Sequence, residues 1–319
     1  MQPVLKPRFS LVVPVYGNEA DIADLVAAIA GIQAQVGVPF EAVLVVDGSP
    51  DRSLERLRQA LPGAGFASTL VALSRNFGAF SAIRVGLEHA RGDVIAVMAA
   101  DLQEPPELAV RFFHELEKGE HDIAFGERMG RDDPWHSKLA SNLFWSLYRK
   151  TVMPAIPKGG VDIFAMRADF RDQLLTLKES NSSLLAQLFW LGGRRVFVGY
   201  ERRKRERGKS GWTLRKKLRY LSDSVFSFTD LPIRLLTAFG AMGLAAAVLL
   251  GAVTLVAKAT GLVEVPGYSG TLLTIIFFGG LNSLGLGVVG TYAWRTFENT
   301  KQRPLALVQR QEHFTGISE

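Results

Sequence analysis

A chain of 319 residues with net charge +6 and a sequence pI near 9.6 has room for one medium domain and a further segment, and suits acidic partners such as phosphate, anionic lipid or nucleic acid. The absence of cysteine excludes disulfides, thiolate metal sites and cysteine nucleophiles. The mean hydropathy of +0.14 is high for a soluble enzyme, and the excess lies after Leu235. Met1 to Phe9 lacks a charged stretch followed by a long apolar core, so no secretory signal is expected there.

The apolar run Phe9 to Val15 reads as a first buried strand, followed by a turn, Tyr16-Gly17-Asn18-Glu19, that opens an amphipathic helix from about Ala20. A second strand, Ala42 to Val46, ends in Asp47-Gly48-Ser49-Pro50-Asp51. A third, Thr69 to Leu73, ends in Ser74-Arg75-Asn76-Phe77-Gly78, and a helix to about Ala90 follows. A fourth, Asp93 to Met98, leads into Ala99-Ala100-Asp101-Leu102-Gln103 before Pro105 and Pro106. Strands alternating with helices predict a mostly parallel α/β sheet with right-handed crossovers, whose polar loops gather at the strands' C-terminal ends.

Those loops carry the chemistry. Glu19, Asp47 and Asp101 follow three different strands, and Gly48 lets the backbone approach a ligand closely. Such a cleft suits a nucleotide, with carboxylates for ribose hydroxyls or base N–H groups and a metal for the pyrophosphate. Asp101 and Gln103, two residues apart, can present two oxygens to one hard cation. Asp101 can equally cap the helix that Pro105 and Pro106 begin, and Asn18 and Asp47-Gly48 are common turn residues.

Val13 to Glu19 (VPVYGNE), Val46 to Asp51 (VDGSPD), Leu73 to Gly78 (LSRNFG) and Ala100 to Glu107 (ADLQEPPE) resemble, in order and spacing, the family 2 inverting glycosyltransferases. The nearest branch is similar to the polyprenyl-phosphate glycosyltransferases, such as dolichol-phosphate mannose synthase and the bactoprenol glucosyltransferases. The resemblance implies a GT-A-like nucleotide-sugar-binding domain, a UDP- or GDP-sugar donor, a divalent ion (Mg²⁺ or Mn²⁺) and a lipid-phosphate acceptor. It places Pro14, Tyr16, Glu19, Asp47, Arg75, Asp101 and Gln103 at the donor, and the ion on Asp101 and Gln103. Two positions depart from the pattern: Val46 and Ala99 stand where the family usually has acids, which leaves the ion one carboxylate fewer.

His121 to Gly126 reads as another strand, and a helix from about Pro134 follows it. By resemblance, Arg128 faces the acceptor phosphate, with Lys138 and Ser141 as approximate matches; Arg131 is an alternative that reads equally as part of a solvated cluster with Asp132 and Asp133. Gly159 to Phe164 resembles a segment beneath the transferred sugar, with Asp162 as its carboxylate, which orients acceptor or sugar or else caps the next helix. Helices at about Arg167 to Leu177 and Ser182 to Leu191 lead to a last strand, Arg195 to Tyr200.

From Arg194 to Arg219 there are twelve Lys or Arg against two Glu. No nucleic-acid module surrounds them, and Arg205-x-x-Gly208-x-Ser210-x-Trp212 resembles the loop over donor and acceptor, where Arg205, Arg202 and Lys209 would neutralise phosphate. Thr213 then opens an interfacial amphipathic helix with Leu214, Leu218, Leu221 and Val225 on one face. Leu235 to Ala257 and Tyr268 to Trp294 are uncharged and long enough to span a bilayer, and the flanking basic residues put both termini in the cytoplasm, with the chain in the inner membrane. Small residues at Gly243, Ala247 and Gly251, and at Gly279, Ser283 and Gly287, allow close helix packing within the hairpin or between subunits of a homo-oligomer. The expected order is therefore a glycosyltransferase domain over 1–210, an interfacial segment over 211–232, a transmembrane hairpin over 233–296 and a cytoplasmic tail over 297–319. The catalytic set is Asp101, Arg128, Asp162 and Arg205. The rival reading, motivated by Val46 and Ala99, is a non-catalytic nucleotide-sugar or lipid-phosphate binding subunit.

Overall fold

The computed structural model describes residues 6–129, 149, 156–157, 161–179, 182–202, 222–229, 231–260 and 268–316. The chain divides into two compact units, one of residues 1–217 with 303–319 and one of residues 218–302.

The first unit is an α/β domain on one eight-stranded sheet. Its centre is built as the apolar runs require: β1 (Phe9–Val15), β2 (Phe40–Val46), β3 (Ala67–Leu73) and β4 (Val94–Val97). The helices α1 (Ile22–Val36), α2 (Ser53–Ala60), α3 (Ala79–His89) and α4 (Glu107–Glu117) alternate with them. β2 is buried along its whole length, as expected of a parallel strand covered on both faces. β1 pairs in parallel with β2 on one side and β4 on the other, and β3 pairs in parallel with β2. The direction of winding thus reverses between β1 and β4, which is where open sheets of this kind bind ligands.

Beyond β4 the sheet turns mixed. β6 (Val161–Arg167) is antiparallel to both β4 and β5 (Ile123–Arg128), and β7 (Arg195–Tyr200) runs parallel to β5 at the edge. Helices α5 (Ala168–Thr176) and α6 (Leu184–Trp190) connect β6 to β7. The core beneath joins Phe9, stacked on Phe113 at 4.5 Å between centroids, to Phe40, set edge-on to Phe113 at 6.4 Å. Under the N-terminal ends of the strands the buried Glu41 carboxylate accepts from Ser10 Oγ at 2.7 Å and from three N–H groups of Arg91, so its charge is matched where it is dry.

Two strands lie outside the sequence expectation. β6 occupies the segment read as a site loop, which places Asp162 inside a strand five residues before α5 begins and removes the helix-cap alternative for it. β8 (Val308–Phe314), from the segment read as a tail, pairs antiparallel with β3 and completes the other edge of the sheet. Arg58 forms an ion pair with Glu312, and Ser74 N–H donates to Leu307 O at 2.9 Å.

In the second unit residues 222–228 are helical, and α7 (Leu231–Ala259) and α8 (Tyr268–Thr300) follow. Among the described residues, Leu231–Val253 forms a helix long and apolar enough to cross a membrane. α8, at 33 residues, is about 50 Å long. The helices pack where Gly243 faces the Phe278 ring and Gly285 faces Leu236, whereas Gly251, Gly279 and Gly287 meet open space. The 222–228 segment is tied to α8 by Asp223–Arg295 at 2.7 Å and by Phe226 against Tyr292.

Candidate active site

The loops after β1, β2 and β3 form one interlocked rim. Gly17 N–H donates to Ser49 Oγ at 2.8 Å, and Asn18 N–H to Ser53 Oγ at 3.2 Å. Asp51 gathers both loops, accepting from Ser49 Oγ, Ser53 Oγ and the N–H groups of Glu19 and Ser53. Burial alone would raise its pKa, but these donors outweigh it and hold the carboxyl at about 2. Glu19 faces its own protein too: it accepts from Arg52 N–H and pairs with the Arg52 guanidinium at 2.8 Å and Arg56 at 3.6 Å. Its pKa is lowered, first by the Arg52 N–H.

Asp47 is 2% exposed and spends both oxygens on the next loop, accepting from Phe77 N–H at 2.7 Å and Gly78 N–H at 2.8 Å. Burial raises its pKa despite these bonds. Asp47 therefore shapes the loop that carries Arg75, whose guanidinium lies 4.0 Å over the Phe77 ring. Gly48, at φ +55°, makes its close approach to this loop rather than to a ligand: a Cβ there would stand 2.2 Å from the Arg75 carbonyl carbon. Tyr16 is half exposed on the rim. Pro14 lies two residues past Val12–Val97, the last β1–β4 pair, where the strands have parted and a missing N–H costs no ladder bond.

The loop after β4 is turned by Leu102, a non-glycine residue at φ +51°; such strain is a feature of functional loops. Gln103 N–H points back to Asp101 Oδ1 at 3.4 Å. The N-cap of α4 is Pro106, without a side-chain cap, so Asp101 does not cap that helix. Gln103 Oε1 accepts from Arg202 Nη2 at 2.5 Å, and Arg202 Nε lies 3.7 Å from Glu104, a carboxylate 2% exposed.

Register brings the other candidates to the same edge. Arg128 ends β5 opposite Tyr200, the last residue of β7, and Glu127 is paired with Val161, next to Asp162. Lys138, Ser141, Arg131, Arg205, Lys209 and Thr213 lie outside the described residues. Three participants were not singled out from sequence: Asp51, whose signal is the Ser-Pro-Asp-Arg-Ser spacing of an Asx turn, Glu104, and the contact of Arg202 with Gln103, 99 residues away.

One carboxylate and one amide oxygen, with the Ala99 methyl where an acid is usual, suit an ion that takes its remaining oxygens from water and substrate phosphates. Elsewhere among the described residues, Glu115, Glu120 and His121 lie close enough to hold a metal, but they sit where α4 leads into β5, and Lys118 engages Glu115 at 2.6 Å.

The sequence profile described as Glycosyl transferase family 2 matches residues 10–174. An undecaprenyl-phosphate 4-deoxy-4-formamido-L-arabinose transferase of Edwardsiella ictaluri is 31% identical over 94% of this chain and 93% of its own. A prophage bactoprenol glucosyl transferase homolog of Escherichia coli K12 is 29% identical over 95% and 99%. Among solved structures, a mannosyltransferase from Pyrobaculum calidifontis in complex with GDP-Man and Mn²⁺ covers 90% of this chain and 88% of its own, at 19% identity and a TM-score of 0.45. The chain is a glycosyltransferase and belongs to glycosyl transferase family 2.

Proposed function

We propose that this enzyme transfers one sugar from a UDP- or GDP-sugar to a polyprenyl phosphate, with inversion, at the cytoplasmic face of the inner membrane; undecaprenyl phosphate is the acceptor if the source is bacterial. The observation that carries the reading is the splice: a helical unit containing an apolar helix of membrane-spanning length interrupts the sheet domain between β7 and β8. A catalytic domain interrupted in this way is suited to an acceptor confined to a bilayer. Because β8 pairs with β3, a chain that crosses through α7 must return, and α8 is the segment available to do so. The relatives named as undecaprenyl-phosphate and bactoprenol transferases support the same acceptor class.

The acceptor dictates the chemistry. A phosphate monoester has a second pKa of about 6, so near neutral pH it is already a nucleophile and needs no strong protein base. The protein's task is position and charge. Asp47, Asp51 and Gly48 fix the rim that receives the nucleotide, with Tyr16 and Arg75 on it. Arg128, with Lys138 and Ser141, aligns the acceptor phosphate; Asp162 orients acceptor or sugar, and Arg205 offsets phosphate charge. Asp101 and Gln103 would hold a divalent ion, whose chemistry when bound is Lewis-acid neutralisation of the leaving diphosphate. A homo-oligomer is part of this reading, with Gly279, Ser283 and Gly287 as the close-packing ridge.

The test is transfer from radiolabelled UDP- and GDP-sugars to undecaprenyl phosphate in detergent, with Mg²⁺, Mn²⁺ or EDTA. A labelled chloroform-soluble product from one donor is expected, and Asp101→Ala should abolish it. A folded protein that binds nucleotide yet yields no product from any donor would favour the non-catalytic binding reading motivated by Val46 and Ala99.

A further inference from the structure

Cation placement around the loop after β4 leads past that reading while resting on it. The family's second acid is absent at Ala99, and the oxygen that an ion would share with Asp101, Gln103 Oε1, already accepts a charged donor from Arg202 at 2.5 Å. The guanidinium is not placed there by chance packing. Its Nε lies 3.7 Å from Glu104, a carboxylate almost wholly removed from water, where an ionised group needs a paired charge. Glu104 is adjacent in sequence to Gln103, so the two side chains present an anchor and an acceptor to one planar fork. Arg202 stands two residues beyond β7, at the strand edge where the β4 loop emerges, and its side chain is one-third exposed.

We propose that Arg202 is the resident cation of the donor site: it binds the donor's diphosphate without a divalent ion, and an added ion competes with it for Gln103 rather than acting beside it. The charge balance accounts for the substitution. A two-acid site needs a divalent ion to become attractive to a diphosphate, whereas a site with one acid fewer and a fixed guanidinium is already less repulsive to one. Glu104 acts through Arg202 and is a positioning residue.

The experiment uses the full chain in detergent and reads UDP and GDP binding by calorimetry in EDTA and in Mn²⁺, with Mn²⁺ binding to the nucleotide-free protein followed by electron paramagnetic resonance. The parent should bind one nucleotide in EDTA within about threefold of its affinity in Mn²⁺. Arg202→Ala should weaken EDTA binding by at least about tenfold, the scale of a charge-assisted hydrogen bond, regain it in Mn²⁺, and bind free Mn²⁺ more tightly than the parent. Arg202→Lys, which keeps the charge and loses the fork, should fall between the two. Glu104→Gln should lower binding in EDTA and leave binding in Mn²⁺ unchanged, a split that general loosening of the loop would not give. Parent binding that requires Mn²⁺, or Arg202→Ala binding in EDTA as well as the parent, overturns the proposal and leaves the transferase reading intact. A folded parent that binds neither nucleotide in either condition overturns the donor reading itself.

Discussion

Asp47 is held by two backbone N–H groups of the following loop, and this makes it a support of the donor rim. Asp47→Asn keeps the shape but turns one acceptor into a donor facing an N–H; it should cost about 1–3 kcal/mol of stability and weaken nucleotide binding, read by urea denaturation and calorimetry. Gly48→Ala places a methyl group within 2.2 Å of backbone at positive φ and should destabilise by more than about 1 kcal/mol, with the same two readouts. Asp51 gives a pH signature. Its folded pKa of about 2 lies below the ordinary 3.8, so its stabilisation is complete above about pH 4 and is lost as pH falls toward 2. Stability measured from pH 5 to 2 should fall less steeply in Asp51→Asn than in the parent. At this scale the sequence showed which carboxylates follow strands, since that depends on local pattern. It did not show which way they face: Glu19, Asp47 and Asp51 are turned onto Arg52, the Phe77 loop and two serines by contacts about thirty residues apart or local to a turn. The Gln103–Arg202 contact depends on β7 reaching the same edge as β4, which no local pattern encodes.

Elements were legible where burial left a run of apolar residues. β1 and β7 span the residues read from sequence, and β2 and β3 begin two residues earlier than read. β6 was hidden because Asp162 interrupts its apolar run and its opening glycines read as loop. β8, Val-Gln-Arg-Gln-Glu-His-Phe, has no apolar face to read: it is an edge strand, mostly exposed, and its ladder with β3 supplies what its side chains do not. Charged residues on an edge are also a device against unwanted pairing. Deleting 308–314 uncovers the apolar β3, and the expected result is a soluble-to-aggregated shift of the purified protein, seen by light scattering at unchanged detergent concentration. A variant that stays monodisperse would show that β3 tolerates an open edge.

At the scale of the molecule, hydropathy made the long helices visible from sequence, while the splice was not, because it depends on where β8 pairs. The absence of cysteine makes the crossing number directly measurable. With both helices crossing, Glu264→Cys should react with a membrane-impermeant maleimide added to intact cells, and Ser318→Cys only after permeabilisation; labelling of both from outside would reject a hairpin. β8 also imposes an order on manufacture. The ribosome delivers β8 only after both long helices, so the β3 edge stays uncovered while the translocation machinery handles them. If α8 fails to re-enter the bilayer, β8 is stranded on the far side and that edge is never sealed. Completion of the sheet therefore reports successful insertion: a chain threaded wrongly keeps an exposed apolar strand, the kind of surface that quality-control proteases and chaperones recognise.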